Sequence, residues 1–183
     1  MQDLDVLLFL SLHHALSGWL GPMAVLSLVG GWGGLAVVPL FAVRRTRRLA
    51  VTLAVVLAST AGVVFVLKRL FARARPYSVL ADVRAFDPPT DYSFPSGHAA
   101  GSFAFAVFLS VVLSKTVSHD ASASERTLRT LGAIVLTLLA VGVGLSRVAL
   151  GVHFPGDVLG GALVGSAIAA AGAYVHFRRT TPT

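Results

Sequence analysis

The stretch DYSFPSGHAAGSFAFAVFL, residues 91–109, is the part of the sequence from which the rest of the chain is best interpreted. It begins with polar residues, passes through Pro95-Ser96-Gly97-His98, and continues as an apolar run as far as Ser114. A proline, a serine and a glycine directly before a long apolar run predict a helix start, where free backbone N–H groups and the positive end of the helix dipole meet. A histidine at that point indicates that an anion binds there.

The composition is typical of a membrane protein. Of the 183 residues, 55% are apolar and 13% are charged, and the mean hydropathy is +0.79, which is too apolar for a soluble domain of this size. The net charge of +7 lies between apolar runs, so we interpret it as a topology signal rather than as a nucleic-acid patch. Because the chain has no cysteine, disulfides, iron–sulfur clusters and thiolate chemistry are excluded. The start MQDLD is acidic, unlike a signal peptide, and we expect no cleavage.

Apolar runs of membrane-spanning length predict an all-α integral membrane protein, a single domain over residues 1–183 with a bundle of five transmembrane helices. The predicted spans are 20–43, 49–67, 98–114, 128–146 and 158–177. An earlier apolar run, residues 4–16, would form about 20 Å of helix, which is shorter than the ~30 Å hydrocarbon core of a bilayer. We interpret this run as an interfacial helix, with a sixth span as the alternative.

Basic residues set the predicted orientation. The loop RRTRR, residues 44–48, carries four arginines between the first two spans, which is a strong signal for the cytoplasmic side. The alternating spans then place nine Lys and Arg residues inside (44, 45, 47, 48, 115, 126, 129, 178 and 179) and six outside (68, 69, 73, 75, 84 and 147). The active-site loop 68–97 and the turn between the last two spans are therefore expected together at the outer face.

Residues suited to chemistry collect in three pieces at that face. In the first, Lys68 and Arg75 precede Pro76; they would share a face if the helix extended that far, whereas a residue before proline should leave the helix. Cations at a helix end also have a structural explanation, because they favour helix C-termini and reach the interface. In the second, residues 95–98, Ser96 is able to cap the helix and to donate its hydroxyl to an anion. A capping serine beside an incidental histidine is the structural alternative.

The third piece contains Ser146 and Arg147, followed by His153 and Asp157. A carboxylate four residues after a histidine can fix its tautomer and leave the other ring nitrogen free. This is the arrangement of a catalytic triad, with histidine as the attacking group. A divalent metal held by His98, His153 and Asp157 is the alternative. The cations of the three pieces would repel such a metal and already supply its charge.

The three patterns K-x6-R-P, P-S-G-H and S-R-x5-H-x3-D are complete and occur in this order. Together they resemble the motifs of the type 2 phosphatidic acid phosphatase superfamily, which includes membrane lipid phosphatases and soluble vanadium haloperoxidases. The resemblance covers about residues 20–177. Three matched motifs are a far more specific signal than any one of them alone.

The resemblance implies a role for each residue of the three pieces. His153 would attack phosphorus and form a phosphohistidine while Asp157 holds its ring, and His98 would protonate the leaving group and then activate water. Neither a metal nor another cofactor would be required. The phosphoryl oxygens would be held by five groups: Lys68, Arg75, Arg147, the Ser96 hydroxyl and the Gly97 backbone N–H. Three further residues would support the site: Pro76, Pro95 and Ser146.

The expected protein is a lipid phosphatase of a bacterial cytoplasmic membrane, with its active site facing outward and with a lipid phosphate and the bilayer as partners. An isoprenoid diphosphate such as undecaprenyl diphosphate is the leading substrate, because the short chain with a helix at 4–16 resembles small bacterial undecaprenyl-diphosphate phosphatases. Phosphatidylglycerophosphate and phosphatidic acid are the alternatives. A vanadate-dependent haloperoxidase would use the same anion pocket, but five apolar spans disfavour a soluble enzyme. A non-catalytic anion-binding membrane protein would not need an oriented histidine.

Overall fold

The computed structural model describes residues 2–33, 44, 46–116 and 121–178, and in this part all regular structure is helical. A 3₁₀ turn at Ser17–Trp19 joins the first two α-helices, and the second of them runs on as a π turn at Val29–Gly33. The α-helices in chain order are α1 (Gln2–Ala15), α2 (Leu20–Leu28), α3 (Arg47–Phe71), α4 (Pro76–Val79), α5 (Gly97–Lys115), α6 (Ala123–Ala149) and α7 (Pro155–Arg178).

Among the described residues, four helices are long and apolar enough to cross a membrane, and each overlaps one of the five predicted spans. These are α5, α6, α7 and the stretch Arg47–Val79, which contains α3. The segments Asp3–Ala15 and Ser17–Gly31 pass the same test only together, with a bend of 54° between them, which is the geometry of a broken span or of a re-entrant loop. The predicted span 20–43 continues beyond the described residues, so it stays a prediction, as does an interfacial position for residues 4–16.

Helix α5 lies at the centre of the bundle and packs most closely against α7. Small residues make this contact possible, because Ala100 and Ala104 on α5 are fully buried and glycines face them from α7. A Cβ on Gly165 would lie 2.0 Å from the carbonyl oxygen of Ala100, and one on Gly161 would lie 2.4 Å from that of Ser96. The two backbones therefore touch, which fixes the start of α5 relative to the start of α7.

The bundle brings the predicted chemistry to one side. Helices α3 and α6 end there, and α5 and α7 begin there, so the connecting segments meet. The backbone N–H of Ser93 donates to the carbonyl of Arg73 over 2.8 Å, and that of Ser96 donates to the carbonyl of Asp157 over 2.9 Å. Many large apolar side chains of α3 and α6 are exposed on the outer surface of the bundle, as expected for helices that face lipid.

Candidate active site

The end of α3 turns Arg75 toward the start of α7. The helix stops at Phe71 because Ala72 adopts a left-handed conformation, with φ of 43°. Lys68 and Arg75 are therefore not on one continuous helix face. Arg75 has extended backbone geometry, as a residue before proline should, and Pro76 occupies the first turn of α4.

Arg75 is almost fully buried, with 4% of its surface exposed, and its guanidinium is held on several sides. Nη1 donates to the carbonyl of Val152 over 2.7 Å and lies 3.2 Å from Nε2 of His153. Nε donates to the carbonyl of Asp91 over 2.7 Å. These bonds fix the planar fork beside the ring of His153.

Asp91 places a carboxylate between the two cations of the first piece. Its Oδ2 lies 2.7 Å from Nζ of Lys68, and its Oδ1 lies 2.5 Å from Nη2 of Arg75. Partial burial opposes the charge, but the hydrogen bonds from Lys68 and Arg75 outweigh it and lower the pKa of Asp91. The side chain remains 56% exposed, so it is able to swing away from these cations.

The start of α5 is built as its sequence predicts. Ser96 is fully buried and its hydroxyl accepts from the backbone N–H of Ala99, so it is the N-cap, and Pro95 precedes it after a cis peptide bond. His98 follows in the first turn. Its ring makes no hydrogen bond to any residue that the structure describes, and a Cβ on Gly31 would come within 3.0 Å of its Nε2.

The end of α6 supplies a second buried guanidinium. Arg147 is 7% exposed, and its Nη1 donates to the hydroxyl of Ser27 on α2. Its Nε is buried and has no acceptor among the described residues. Ser146 donates instead to the carbonyl of Val143 within the helix, over 2.7 Å, and so has a structural contact rather than a place in the cavity.

His153 and Asp157 form the pair that their spacing predicts. Nδ1 of His153 lies 3.6 Å from Oδ2 of Asp157, and the hydroxyl of Ser93 lies 3.4 Å from the same nitrogen. Ser93 donates to Oδ2 of Asp157 over 2.5 Å, and the backbone N–H of Phe154 donates to it over 2.9 Å. Burial, reinforced by the charge of Arg75 and opposed by Asp157, lowers the pKa of His153 to about 3. The ring is therefore neutral at physiological pH, with Nδ1 toward Asp157 and Nε2 toward Arg75.

One cavity of about 770 Å³ collects six of the predicted site residues: Lys68, Arg75, Gly97, His98, Arg147 and His153. Asp157 lies behind His153, fully buried. Ser96, Pro76, Pro95 and Ser146 do not line the cavity; they shape the helix ends that do. The rest of the cavity wall is mainly apolar, with contributions from α3, α5 and α6 that include Leu57, Val64, Phe65, Phe105, Leu136 and Leu139.

Residues 49–181 match the model of the PAP2 superfamily. The chain belongs to the PAP2 superfamily.

Two curated relatives and one solved structure show how this PAP2 chain compares with known proteins. It is 36% identical over 126 residues to an undecaprenyl-diphosphatase of Sulfolobus acidocaldarius, which is 67% of this chain and 53% of that protein. It is 37% identical over 100 residues to phosphatidylglycerophosphatase B of Bacillus subtilis, 55% of this chain and 44% of that protein. The match thus spans about half of the length of each relative.

The fold is similar to a solved membrane protein of the same superfamily. The crystal structure of a PAP2-type phosphatidylglycerolphosphate phosphatase from Bacillus subtilis superposes with a TM-score of 0.80 at 23% identity, covering 98% of this chain and 87% of that one. This likeness concerns the fold alone.

The structure does not support the alternative in which His98, His153 and Asp157 hold a metal ion. Among the described residues, no group of three or more His, Cys, Asp or Glu side chains has an arrangement able to hold a metal ion. His98, His153 and Asp157 therefore do not form such a group.

Several residues of the PAP2 site were not predicted. Asp91 and Ser93 lie within residues 91–109, and their polar side chains just before a buried helix start were a usable signal. Arg73 contacts the rear of Asp157, Asp5 contacts Arg73, and Ser27 contacts Arg147. These three contacts join segments distant in sequence, so no local pattern points to them.

Proposed function

We propose that the chain is a metal-independent phosphatase of membrane lipid phosphates, acting through a phosphohistidine at His153. One observation carries the proposal: a single cavity has two histidines and three cations at one end and apolar side chains over much of its remaining wall. A phosphate group suits the charged end, and a hydrocarbon tail suits the apolar part. A small soluble phosphate ester would leave that apolar wall unused.

The apolar wall extends far enough to take part of a lipid tail. Leu57 on α3 precedes Lys68 by eleven residues, and Leu136 on α6 precedes Arg147 by the same number. Both leucines therefore lie about 16 Å from the cations along their helices. This is about half of the ~30 Å thickness of a hydrocarbon core, so the headgroup and the first part of the tail would share one cavity.

His153 is suited to attack phosphorus with Nε2. Its Nδ1 faces Asp157 and Ser93, which favours the tautomer with the proton on Nδ1 and the lone pair on Nε2. The N–P bond forms as the bond from phosphorus to the leaving oxygen breaks, and protonated His98 gives that oxygen a proton. Neutral His98 then takes a proton from water. The water oxygen attacks phosphorus as the N–P bond breaks, and inorganic phosphate is released.

The negative charge that shifts during these steps would be met by fixed groups of the protein. Lys68, Arg75 and Arg147 all line the cavity. A phosphoryl oxygen would give the buried Nε of Arg147 the acceptor that it lacks among the described residues. The backbone N–H of Gly97 adds the start of α5. Together these groups supply the charge that a metal brings in other phosphatases.

An isoprenoid diphosphate, such as undecaprenyl diphosphate, is our leading substrate, with phosphatidylglycerophosphate or phosphatidic acid as the alternative. Two relatives of this chain are named for undecaprenyl diphosphate and for phosphatidylglycerophosphate. Each lipid carries a terminal phosphate and a long apolar tail. The arginine-rich loop at 44–48 favours the cytoplasm for the opposite end of the bundle, so the cavity would open to the outer leaflet of a bacterial cytoplasmic membrane.

Purified protein in detergent should release inorganic phosphate from a lipid phosphate in the presence of a metal chelator. The His153→Ala variant should lose activity by a factor on the order of 10³ or more, because it lacks the attacking group. The matched control is His14→Ala, since His14 is an exposed histidine of α1. Loss of activity on adding chelator would overturn the metal-free mechanism, and near-normal activity of His153→Ala would overturn the nucleophile assignment.

The substrate is tested by comparing kcat/KM for undecaprenyl diphosphate, phosphatidylglycerophosphate and phosphatidic acid under one set of conditions. The highest value for the isoprenoid diphosphate supports our leading choice; a higher value for either phospholipid replaces it. A water-soluble phosphomonoester without a tail should give a much lower kcat/KM, because it cannot use the apolar wall. Equal values with and without a tail would contradict the lipid assignment.

A further inference from the structure

Arg73 is a cation that none of the three sequence patterns includes and that does not line the cavity. Its guanidinium joins two carboxylates: Nη1 donates to Oδ1 of Asp157 and Nη2 donates to Oδ2 of Asp5, each over 2.7 Å. Its Cζ also lies 4.3 Å from the ring centroid of Phe154. Arg73 is 26% exposed while Asp157 is fully buried, so the fork reaches inward from a partly exposed position.

Asp5 connects this arginine to the N-terminal helix. It lies on α1, and its second oxygen, Oδ1, accepts from the backbone N–H of Gly156 over 2.8 Å. Gly156 is the residue before Asp157, in the first turn of α7. A Cβ at that position would lie 2.8 Å from Oδ2 of Asp5, so glycine permits the close approach. One carboxylate of α1 therefore holds both Arg73 and the backbone that carries Asp157.

The two oxygens of Asp157 have separate sets of partners. Oδ1 accepts from Arg73, whereas Oδ2 accepts from Ser93 and from the N–H of Phe154 and faces Nδ1 of His153. A carboxylate bound on both sides cannot rotate without breaking a charge-assisted hydrogen bond. Removing Arg73 would free Oδ1 and allow Asp157 to turn away from the ring.

We propose that Asp5 and Arg73 are positioning residues, which hold Asp157 so that it in turn orients His153. Helix α1 is thereby part of the active site and not merely an accessory segment. This inference rests on the proposed function, because it assigns Asp5 and Arg73 to the support of the attacking histidine. Outer partners of this kind tune an inner group through its orientation and are worth about 10- to 100-fold where they support metal ligands.

The first test separates kcat from KM in the full-length protein. Arg73→Gln and Asp5→Asn should each lower kcat by about 10- to 100-fold and leave KM within about three-fold, since neither side chain reaches the cavity. Two matched controls carry the same chemical changes elsewhere: Arg84→Gln in the exposed loop and Asp3→Asn on α1, both at exposed positions. The controls should keep wild-type kinetics. Wild-type kcat in both test variants would overturn the proposal.

The second test asks whether Arg73 acts through Asp157. In single turnovers with excess enzyme, Arg73→Gln should slow phosphate release much less in an Asp157→Asn background than in the wild type, because the group that it positions has already been changed. An equal loss in both backgrounds would mean that Arg73 only stabilises the fold, and would overturn the proposal. If Arg73→Gln fails to fold, Arg73→Lys takes its place in both arms, as lysine keeps a charge but loses the two-sided fork.

Failure of the proposed function gives a different result. Wild-type protein that releases no phosphate from any lipid phosphate refutes the phosphatase assignment itself. Active wild-type protein with fully active Arg73→Gln and Asp5→Asn variants refutes only the positioning by α1.

Discussion

Asp91 occupies the position between Lys68 and Arg75, two of the three cations that we assign to the phosphoryl group. A bound phosphate must displace its carboxylate, which is 56% exposed and bound to both cations. Ion pairs with an exposed partner are worth about 1 kcal/mol or less, so Asp91→Asn should tighten inhibition by orthovanadate about five-fold. The measurement is the inhibition constant at fixed pH and ionic strength.

The control for Asp91 is Asp82→Asn, an exposed carboxylate of the same loop, which should leave the inhibition constant unchanged. Weaker vanadate inhibition in Asp91→Asn would mean that Asp91 holds Arg75 in place for the phosphate rather than competing with it.

His153 should remain neutral well below the pH at which an ordinary histidine is protonated. Burial lowers its pKa from 6.5 to about 3, so its ring should show no protonation shift between pH 8 and pH 5. NMR of histidine-labelled protein, with the His153 signal assigned by its loss in His153→Gln, measures this directly. A midpoint near pH 6.5 for that signal would contradict the buried, neutral ring.

The same shift makes the fold sensitive to acid. The folded pKa of His153 lies below the unfolded value of 6.5, so the unfolded chain binds more protons as the pH falls. The contribution of the neutral ring to stability is therefore full above pH 6.5 and decreases from there toward pH 3. In His153→Gln the decrease of the unfolding midpoint that His153 causes between pH 6.5 and pH 3 should be absent. An unchanged pH profile would contradict the lowered pKa of His153.

Sequence patterns pointed to the residues at the front of the site better than to those at its rear. Lys68, Arg75, His98, Arg147 and His153 were predictable because each pattern puts a charged or titratable group at a helix end. Asp5 and Arg73 were not, because their role depends on contacts that run from Asp5 through Arg73 to Asp157, and a single sequence does not show which distant carboxylate an arginine will meet.

At the scale of elements, the contact of α5 with α7 controls the distance between the start of one helix and the start of the other. Gly165→Ala should lower the thermal unfolding midpoint, because its Cβ would lie 2.0 Å from the backbone oxygen of Ala100 and overpacking costs about 1–3 kcal/mol. It should also reduce kcat, as the shift separates His98 from His153. Gly62→Ala on α3 is the matched control, because nothing lies within 4 Å of its added Cβ. Equal midpoints for the two variants would mean that the helices can separate without loss.

The boundaries of the helices could be predicted from the sequence with different accuracy. The boundaries of α5 and α7 were predicted closely because proline and glycine stand just before or at the start of each apolar run. The end of α3 was harder to locate, since Ala72 has no sequence signal for a left-handed conformation. The segments on either side of the bend after α1 pack against α6 and α7. Such contacts, and therefore the bend, cannot be predicted from hydropathy alone.

At the scale of the whole molecule, the orientation in the membrane decides which leaflet supplies the substrate. The chain contains no cysteine, so Asp82→Cys and Ser124→Cys each create a single labelling site, at exposed positions on opposite ends of the bundle. In intact spheroplasts an impermeant maleimide should label Asp82→Cys, because the distribution of basic residues predicts that the loop before α5 lies outside. Ser124→Cys at the start of α6 should react only after the membrane is permeabilised. The reverse pattern would place the cavity at the inner leaflet and remove lipid phosphates of the outer leaflet as substrates.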